Sequence, residues 1–258
     1  PYTCRIARDN YNKWGNQFYI FDILKYVSSS GKYGDRDRLI VLDSDCVWTQ
    51  PGDRIFDDIG RNGLLAYEVY KSDNYTVNGL SRADMREIYS DLLGYTVNDN
   101  PVYYGGEWFA ADVDACRKVY EEFVTLKNIL ADRLSAGKKV FNEEAHTLSY
   151  IYYKLGFAKD TASVYIRRIW TTLFVYENVT RSDYDLTIWH LPSEKRFGLK
   201  RLFKLISDTK NRFYKGNDYH SRKILGRTLG VPGRTPGKFV LDLTGAVIAR
   251  MSRIIGKK

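Results

Sequence analysis

The stretch Arg38 to Trp48, RLIVLDSDCVW, runs four apolar residues, Leu39 to Leu42, directly into Asp43-Ser44-Asp45. Side chains two apart on a strand share a side, so a strand reaching this far would project Asp43 and Asp45 together. Like charges held that close need a counter-charge. A metal ion, a phosphate-bearing ligand with its metal, or a bank of Arg and Lys would supply it. Oxygen-only ligands suit a hard ion such as Mg²⁺ or Mn²⁺, with diphosphate oxygens and water completing the shell. Short acidic pairs also arise as caps and turn formers. The apolar run is typical of a strand covered on both faces, whose C-terminal edge is where open α/β sheets bind ligands.

The elements that must position this pair follow from periodicity. Asn10 to Gly31 carries Trp14, Phe18, Phe21 and Leu24 at helical spacing, with Gly31 as a stop. The strand Leu39 to Leu42 follows, then a turn over Thr49 to Asp53 and a second strand over Gly63 to Tyr70. Ser81 to Leu93 is expected to be helical, with Ser81 as N-cap and Asp84 closing a variant capping box. Asn100 to Asp112 reads as a loop entering a strand. Val113 to Leu134 is a helix with Ala115, Val119, Phe123, Leu126, Leu130 and Leu134 on one stripe. Asn142 to Gly156 is another, closed by Gly156. Strands are expected in Ala162 to Trp170 and Asp185 to His190. Alternating strands and helices make an α/β sheet the default. Beyond Pro192, Glu194 to Gly216 has a basic amphipathic helix pattern, Gly226 to Lys238 a linker composition, and a final basic helix starts near Phe239.

The 258 residues suffice for one large α/β domain with an extension, expected as 1–192 and 193–258. Net charge is +9, unevenly spread: residues 195–258 hold 17 Lys/Arg against 3 Asp/Glu, the preceding ones 23 against 28. A basic tail points to phosphate-rich partners, anionic lipid or nucleic acid. Three widely spaced cysteines, Cys4, Cys46 and Cys116, with no CxxC pair, argue for a reducing compartment and against a disulfide scaffold or structural zinc. No window has the roughly 18 apolar residues of a membrane span, and the start shows no signal-peptide pattern. The expected location is cytoplasmic, with peripheral contact on the inner face of the membrane.

In order along the chain, several segments resemble GT-A fold glycosyltransferases, which move a sugar from a nucleotide diphosphate. RLIVLDSDCVW resembles their D-x-D strand, and Cys4 to Val27 the helix before it, where an Arg or Lys contacts the donor. Tyr103 to Val119, YYGGEWFAADVDACRKV, resembles the small-residue loop under the sugar. Asp185 to Lys200, DLTIWHLPSEKRFGLK, resembles a later strand ending in His with a Lys-bearing loop. The order is nearest to the retaining group of glycogenin and the bacterial lipooligosaccharide galactosyltransferases. The resemblance implies a Rossmann-like mixed sheet flanked by helices, with a basic, mainly helical C-terminal extension. It implies Asp43, Asp45 and His190 as ligands of Mn²⁺ or Mg²⁺, with Arg5, Arg8, Asp43, Ser44, Gly105, Gly106, Lys195 and Lys200 on the donor. Glu107, Glu143 and Glu144 are the catalytic candidates, one acid deprotonating the acceptor if the enzyme inverts. Partners would be a nucleotide-diphosphate sugar, a glycan or lipid-linked acceptor and an anionic membrane surface, with no nucleic acid. Only 42 residues precede Asp43, fewer than this family usually has, so the nucleotide-binding part is expected to be abbreviated or to lie outside the chain.

Each assignment has a plainer competitor. His190 is equally a histidine packed beside Trp189; Gly105-Gly106 equally a turn; Glu143 or Glu144 a complement to a helix dipole; Arg5, Arg8, Lys195 and Lys200 surface charges. LDSDCV also fits haloacid-dehalogenase-like phosphatases, with Asp43 as nucleophile and Asp45 as acid/base. These need a further acidic pair on a strand end, whereas Asp57-Asp58 looks like a turn. A third reading is a non-enzymatic module binding a membrane surface or nucleic acid through its tail.

Overall fold

A computed structural model describes residues 14–69, 72–215 and 217–255. In chain order the elements are α1 (Tyr19–Ser29), β1 (Arg38–Leu42), β2 (Cys46–Trp48), α2 (Asp53–Asn62), β3 (Leu64–Leu65), α3 (Arg82–Leu93), β4 (Trp108–Asp112), α4 (Val113–Ser135) and α5 (Glu144–Leu155). Then follow β5 (Ile166–Arg168), β6 (Trp170–Thr171), β7 (Tyr176–Glu177), β8 (Ile188–His190), α6 (Gly198–Ile206), α7 (Asp218–Leu229) and α8 (Pro236–Ile255). The fold is mixed α/β, with small sheets. They belong to two compact units, one built from residues up to 42 and 53–163, the other from 43–52 and 164 onward.

In the first unit β4 is the central strand, antiparallel to β1 on one side and β3 on the other. Trp108 to Ala111 are buried, whereas Leu39 to Leu42 are only half-buried. The doubly covered strand is thus β4 and not β1, whose only strand partner among the described residues is β4. Of the strand expected from Gly63, only Leu64–Leu65 joins a ladder; Ala66 and Glu68 make single bridges to Asp160 and Tyr104.

The helices follow local chemistry closely. Ser81 Oγ accepts from Asp84 N at 3.1 Å and Asp84 Oδ2 from Ser81 N at 2.9 Å, the expected capping box of α3. Asp112 Oδ1 caps α4 by accepting from Ala115 N at 2.8 Å. Five of the six expected stripe residues of α4 are buried, and Leu134 is exposed. Phe123 stacks on Phe21 of α1, ring centroids 3.7 Å apart. α5 ends at Gly156, whose φ of 76° is the left-handed region only glycine enters cheaply. α2 was invisible to apolar spacing because only Ile55 and Ile59 of its ten residues are buried. It contains Asp57 and Asp58, which form no turn and sit on no strand end.

In the second unit β8 pairs antiparallel with β2 and parallel with β5, and β6 and β7 form a hairpin. Trp189 and Leu191 share one core cluster with Leu202, Leu225, Leu229 and Val231. Side chains from both sides of the expected 192/193 boundary therefore interlock, and 193 onward is not a separate extension. The long basic helix expected over Glu194 to Gly216 is a 3-10 turn, Pro192–Arg196, followed by α6. The linker expected over Gly226 to Lys238 is irregular only over 230–235: α7 runs to Leu229 and α8 starts at Pro236, proline being preorganised for a first helical turn.

A buried ion network ties α8 to this unit. Lys238 Nζ donates to Glu194 Oε1 at 2.7 Å, Asp242 Oδ2 at 2.5 Å and the Thr171 carbonyl at 3.2 Å. Arg201 meets Asp242 Oδ1 at 2.6 Å, and Gly198 N donates to Glu194 Oε2 at 2.7 Å. Both carboxylates are fully buried, so removing their shared cation leaves Glu194 with neutral partners alone and Asp242 with Arg201 alone. Lys238→Met should lower the unfolding free energy by about 3–5 kcal/mol in urea titrations. A loss below about 1 kcal/mol would show that water reaches these carboxylates.

Candidate functional site

Among the described residues the candidate side chains form two groups, one in each unit. In the second unit, Asp43-Ser44-Asp45 is a turn between β1 and β2, closed by Cys46 N donating to the Asp43 carbonyl at 3.0 Å. The strand ends at Leu42, so the alternation that would align Asp43 with Asp45 does not apply. Asp43 is half-buried, Ser44 exposed, and Asp45 only 1% exposed. The peptide of Asp45 is fixed because its carbonyl accepts from Leu191 N at 3.0 Å.

β2 and β8 then bring distant residues together. Cys46 lies directly opposite His190. Trp189 turns into the core, where its indole donates to the Asp183 carbonyl at 2.6 Å. His190, the next residue, faces the other way, with Nε2 3.4 Å from Asp45 Oδ1. Lys195, more than half exposed, places Nζ 3.0 Å from Asp45 Oδ2. Burial raises the Asp45 pKa, but His190 and then Lys195 outweigh it and hold the carboxyl at about 2. Asp45 Oδ1 is out of water and accepts no hydrogen bond of normal geometry.

Ligand atoms of Asp45, Cys46 and His190 lie within 4.8 Å of one another. An orphaned carboxylate oxygen beside an imidazole and a thiol fits a divalent cation. The donor set is softer than the all-oxygen set expected, and suits Mn²⁺ or Zn²⁺ better than Mg²⁺. Asp43 is not part of this group, whereas Cys46 is. Lys200 is exposed on α6, and Arg5 and Arg8 lie outside the described residues.

In the first unit, Glu107 (2% exposed) and Glu143 (6%) are buried and Glu144 half-buried. Gly105 and Gly106 pack closely on these acids: a Cβ on Gly105 would meet the Glu107 carboxylate and Val69, and one on Gly106 the Glu144 carboxylate, so a substitution would make the acid move. Glu143 accepts from Tyr103 Oη at 2.7 Å and from Asn78 Nδ2. Asn78-Gly79 is a two-residue hairpin loop with both φ positive, closed by Val77 and Leu80. His146, one turn along α5, is fully buried with neither ring nitrogen hydrogen-bonded, and Nδ1 is 3.6 Å from Glu143 Oε1. Burial pushes its imidazole down to about 4. Tyr103 and Asn78 already engage the Glu143 carboxylate, which blunts its pull on a proton there.

Sequence reasoning missed Cys46, His146, Tyr103 and Asn78. The Asn-Gly dipeptide was a usable hairpin signal; nothing local marked Cys46, whose role depends on the cross-strand register. Compared with known proteins, the chain matches no family model, and a search of curated proteins finds no match.

His146 is neutral when folded and has an ordinary pKa of 6.5 when unfolded. Acid therefore favours the unfolded chain, with stability lost as pH falls from about 6.5 towards about 4, by up to about 3 kcal/mol. The unfolding free energies of the native protein and His146→Leu, measured between pH 7 and 4.5, should differ less in favour of the native protein as pH falls. A pH-independent difference would remove His146 as the cause.

Proposed function

We propose that the chain is a metal-assisted glycosyltransferase of GT-A type, moving a sugar from a nucleotide-diphosphate donor to a glycan or lipid-linked acceptor. The observation that supports it is the Asp45–His190 pair, singled out from separate segments and brought together by β2 and β8 with a lysine alongside. Asp45, His190 and Cys46 would hold the ion. When bound, it would neutralise the charge growing on the leaving diphosphate. Lys195 supports His190 in keeping Asp45 anionic and, being exposed, would turn to a phosphate oxygen when donor arrives. Glu107, Glu143 and Glu144 remain the acids proposed to meet sugar or acceptor. Glu143, committed to Tyr103 and Asn78, is the least suited of them to move a proton.

A second observation favours an anionic lipid surface as partner. α8 exposes Val240, Leu241, Leu243, Val247, Ile248 and Met251. Its single acid, Asp242, is buried with Lys238, so the outward face is apolar and flanked by basic residues such as exposed Arg250. That combination lets a helix lie in a headgroup layer. Among the described residues no helix is long and apolar enough to cross a membrane.

Calorimetric titration of the full chain with UDP-glucose, UDP-galactose or GDP-mannose should give Mn²⁺-dependent binding, weakened at least about tenfold in Asp45→Asn. Binding that ignores Mn²⁺, or is unchanged in the variant, sinks the transferase reading. Rapid turnover of p-nitrophenyl phosphate would promote the phosphatase reading instead.

Flotation with vesicles containing phosphatidylglycerol should carry the protein upward, and Val247→Glu with Met251→Glu should abolish this. Equal flotation of both would reject α8 as the contact.

A further inference from the structure

The first unit contains a cavity of about 450 Å³ that involves none of the residues considered so far as catalytic or metal-binding. It lies between the segment that follows α3, Tyr95 to Val102, and the face of α5 carrying Ser149 and Tyr153. Its size is within the range of small-molecule sites.

The walls are held before any ligand arrives. Arg82 on α3 donates from Nε to the Pro101 carbonyl and from Nη2 to the Asn100 carbonyl, both at 2.8 Å. Ser90 Oγ accepts from Val97 N at 3.0 Å, and Ser149 Oγ from Tyr104 N at 2.9 Å. Tyr153 is braced by the fully buried Tyr89, ring centroids 5.3 Å apart. A loop pinned at this many backbone groups binds with little ordering cost.

The lining specifies the chemistry. Tyr95, 56% exposed, offers an aromatic face at the rim. Thr96, Asn98 and Asn100 supply hydroxyl and amide groups able both to donate and to accept. Among the described residues Asn100 Oδ1 is buried with no hydrogen-bond partner, an unfavourable state that a turn of its amide towards a donor in the cavity would relieve. Among the described residues no Lys or Arg lines the cavity, and Asp99 does, which disfavours phosphate, sulfate or carboxylate ligands. An occupant with an apolar face to lay on tyrosine, several hydroxyl donors at its edge and no negative charge is a saccharide ring.

We propose that this cavity is a binding subsite for a neutral saccharide, stacked on Tyr95 and donating a hydroxyl hydrogen to Asn100 Oδ1 as that amide turns into the cavity. The assignment does not rest on the transferase reading, because it uses no metal, nucleotide or residue of the Asp45 group. If both hold, the subsite accommodates part of a glycan acceptor.

Saturation-transfer NMR of the full chain, without metal or nucleotide, would use methyl glucoside, methyl galactoside, maltose and lactose as probes, with adenosine as the competing flat ligand. At least one sugar should receive saturation. Tyr95→Ala and Asn100→Ala should each weaken its binding about fivefold or more, while Tyr95→Phe, which keeps the ring, should leave it within about twofold. Thermal melts would establish that the variants are folded; because Tyr95 is exposed, its variants carry the test even if Asn100→Ala is unstable. Saturation of none of the four sugars, of adenosine alone, or equally in native protein and Tyr95→Ala would overturn the proposal. A positive result alongside failed nucleotide-sugar binding would leave a saccharide-binding protein that is not the proposed transferase.

Discussion

A carboxylate taken out of water must be neutralised or supplied with hydrogen bonds, and that constraint organises both units of this protein. Glu143 anchors a hairpin loop and a tyrosine in the first unit. Glu194 and Asp242 anchor α8 in the second through Lys238 and Arg201. Asp45, equally buried, is met by an imidazole and an exposed ammonium. The apolar cores supply most of the driving force for folding, but these anchors decide which loop meets which helix.

The anchors differ in how complete they are. Around Glu194 and Asp242 every carboxylate oxygen has a named partner, and the cation between them is itself inaccessible. Such a network gains nothing from a ligand. Around Asp45, one oxygen accepts no hydrogen bond of normal geometry among the described residues, one neighbour is an imidazole, and the other reaches in from solvent. Incomplete satisfaction of a buried charge costs stability, so this is the place where a bound cation would add most. The contrast separates a structural ion cluster from a candidate site without reference to any relative.

Local signals were legible in the sequence and long-range ones mostly were not. The capping box at Ser81, the α4 stripe and the stop at Gly156 depend on residues within a turn or two of each other, and each is present as expected. α2 was missed because two buried isoleucines make no detectable stripe. β1 was misjudged because an apolar run cannot say whether a strand sits at the centre or the edge of a sheet. The change of charge at Lys195 predicts a separate extension, yet the core cluster spanning Trp189 to Val231 ignores that change. Asp45, His190 and Lys195 were legible as types at strand ends and loops. Cys46 was not, since only the β2–β8 register sets it across from His190.

The D-x-D pattern itself takes on a different physical meaning. Read as strand, it makes Asp43 and Asp45 equivalent and calls for a hard cation between two carboxylates. Folded as a turn, it separates them: Asp43 contributes its carbonyl to the turn, while Asp45 is buried against β8. The second and third donors then come from Cys46 and His190, which moves the preferred ion away from Mg²⁺ towards metals that accept nitrogen and sulfur. It also makes the pairing of two three-residue strands, β2 and β8, the element on which ion binding depends. A slip of one residue would turn His190 to the opposite face and bring Trp189 against Asp45. The Trp189 indole bond to the Asp183 carbonyl guards against that slip, because it holds the tryptophan on the core side. An aromatic residue that is not itself a candidate ligand thereby helps to fix the geometry of all three.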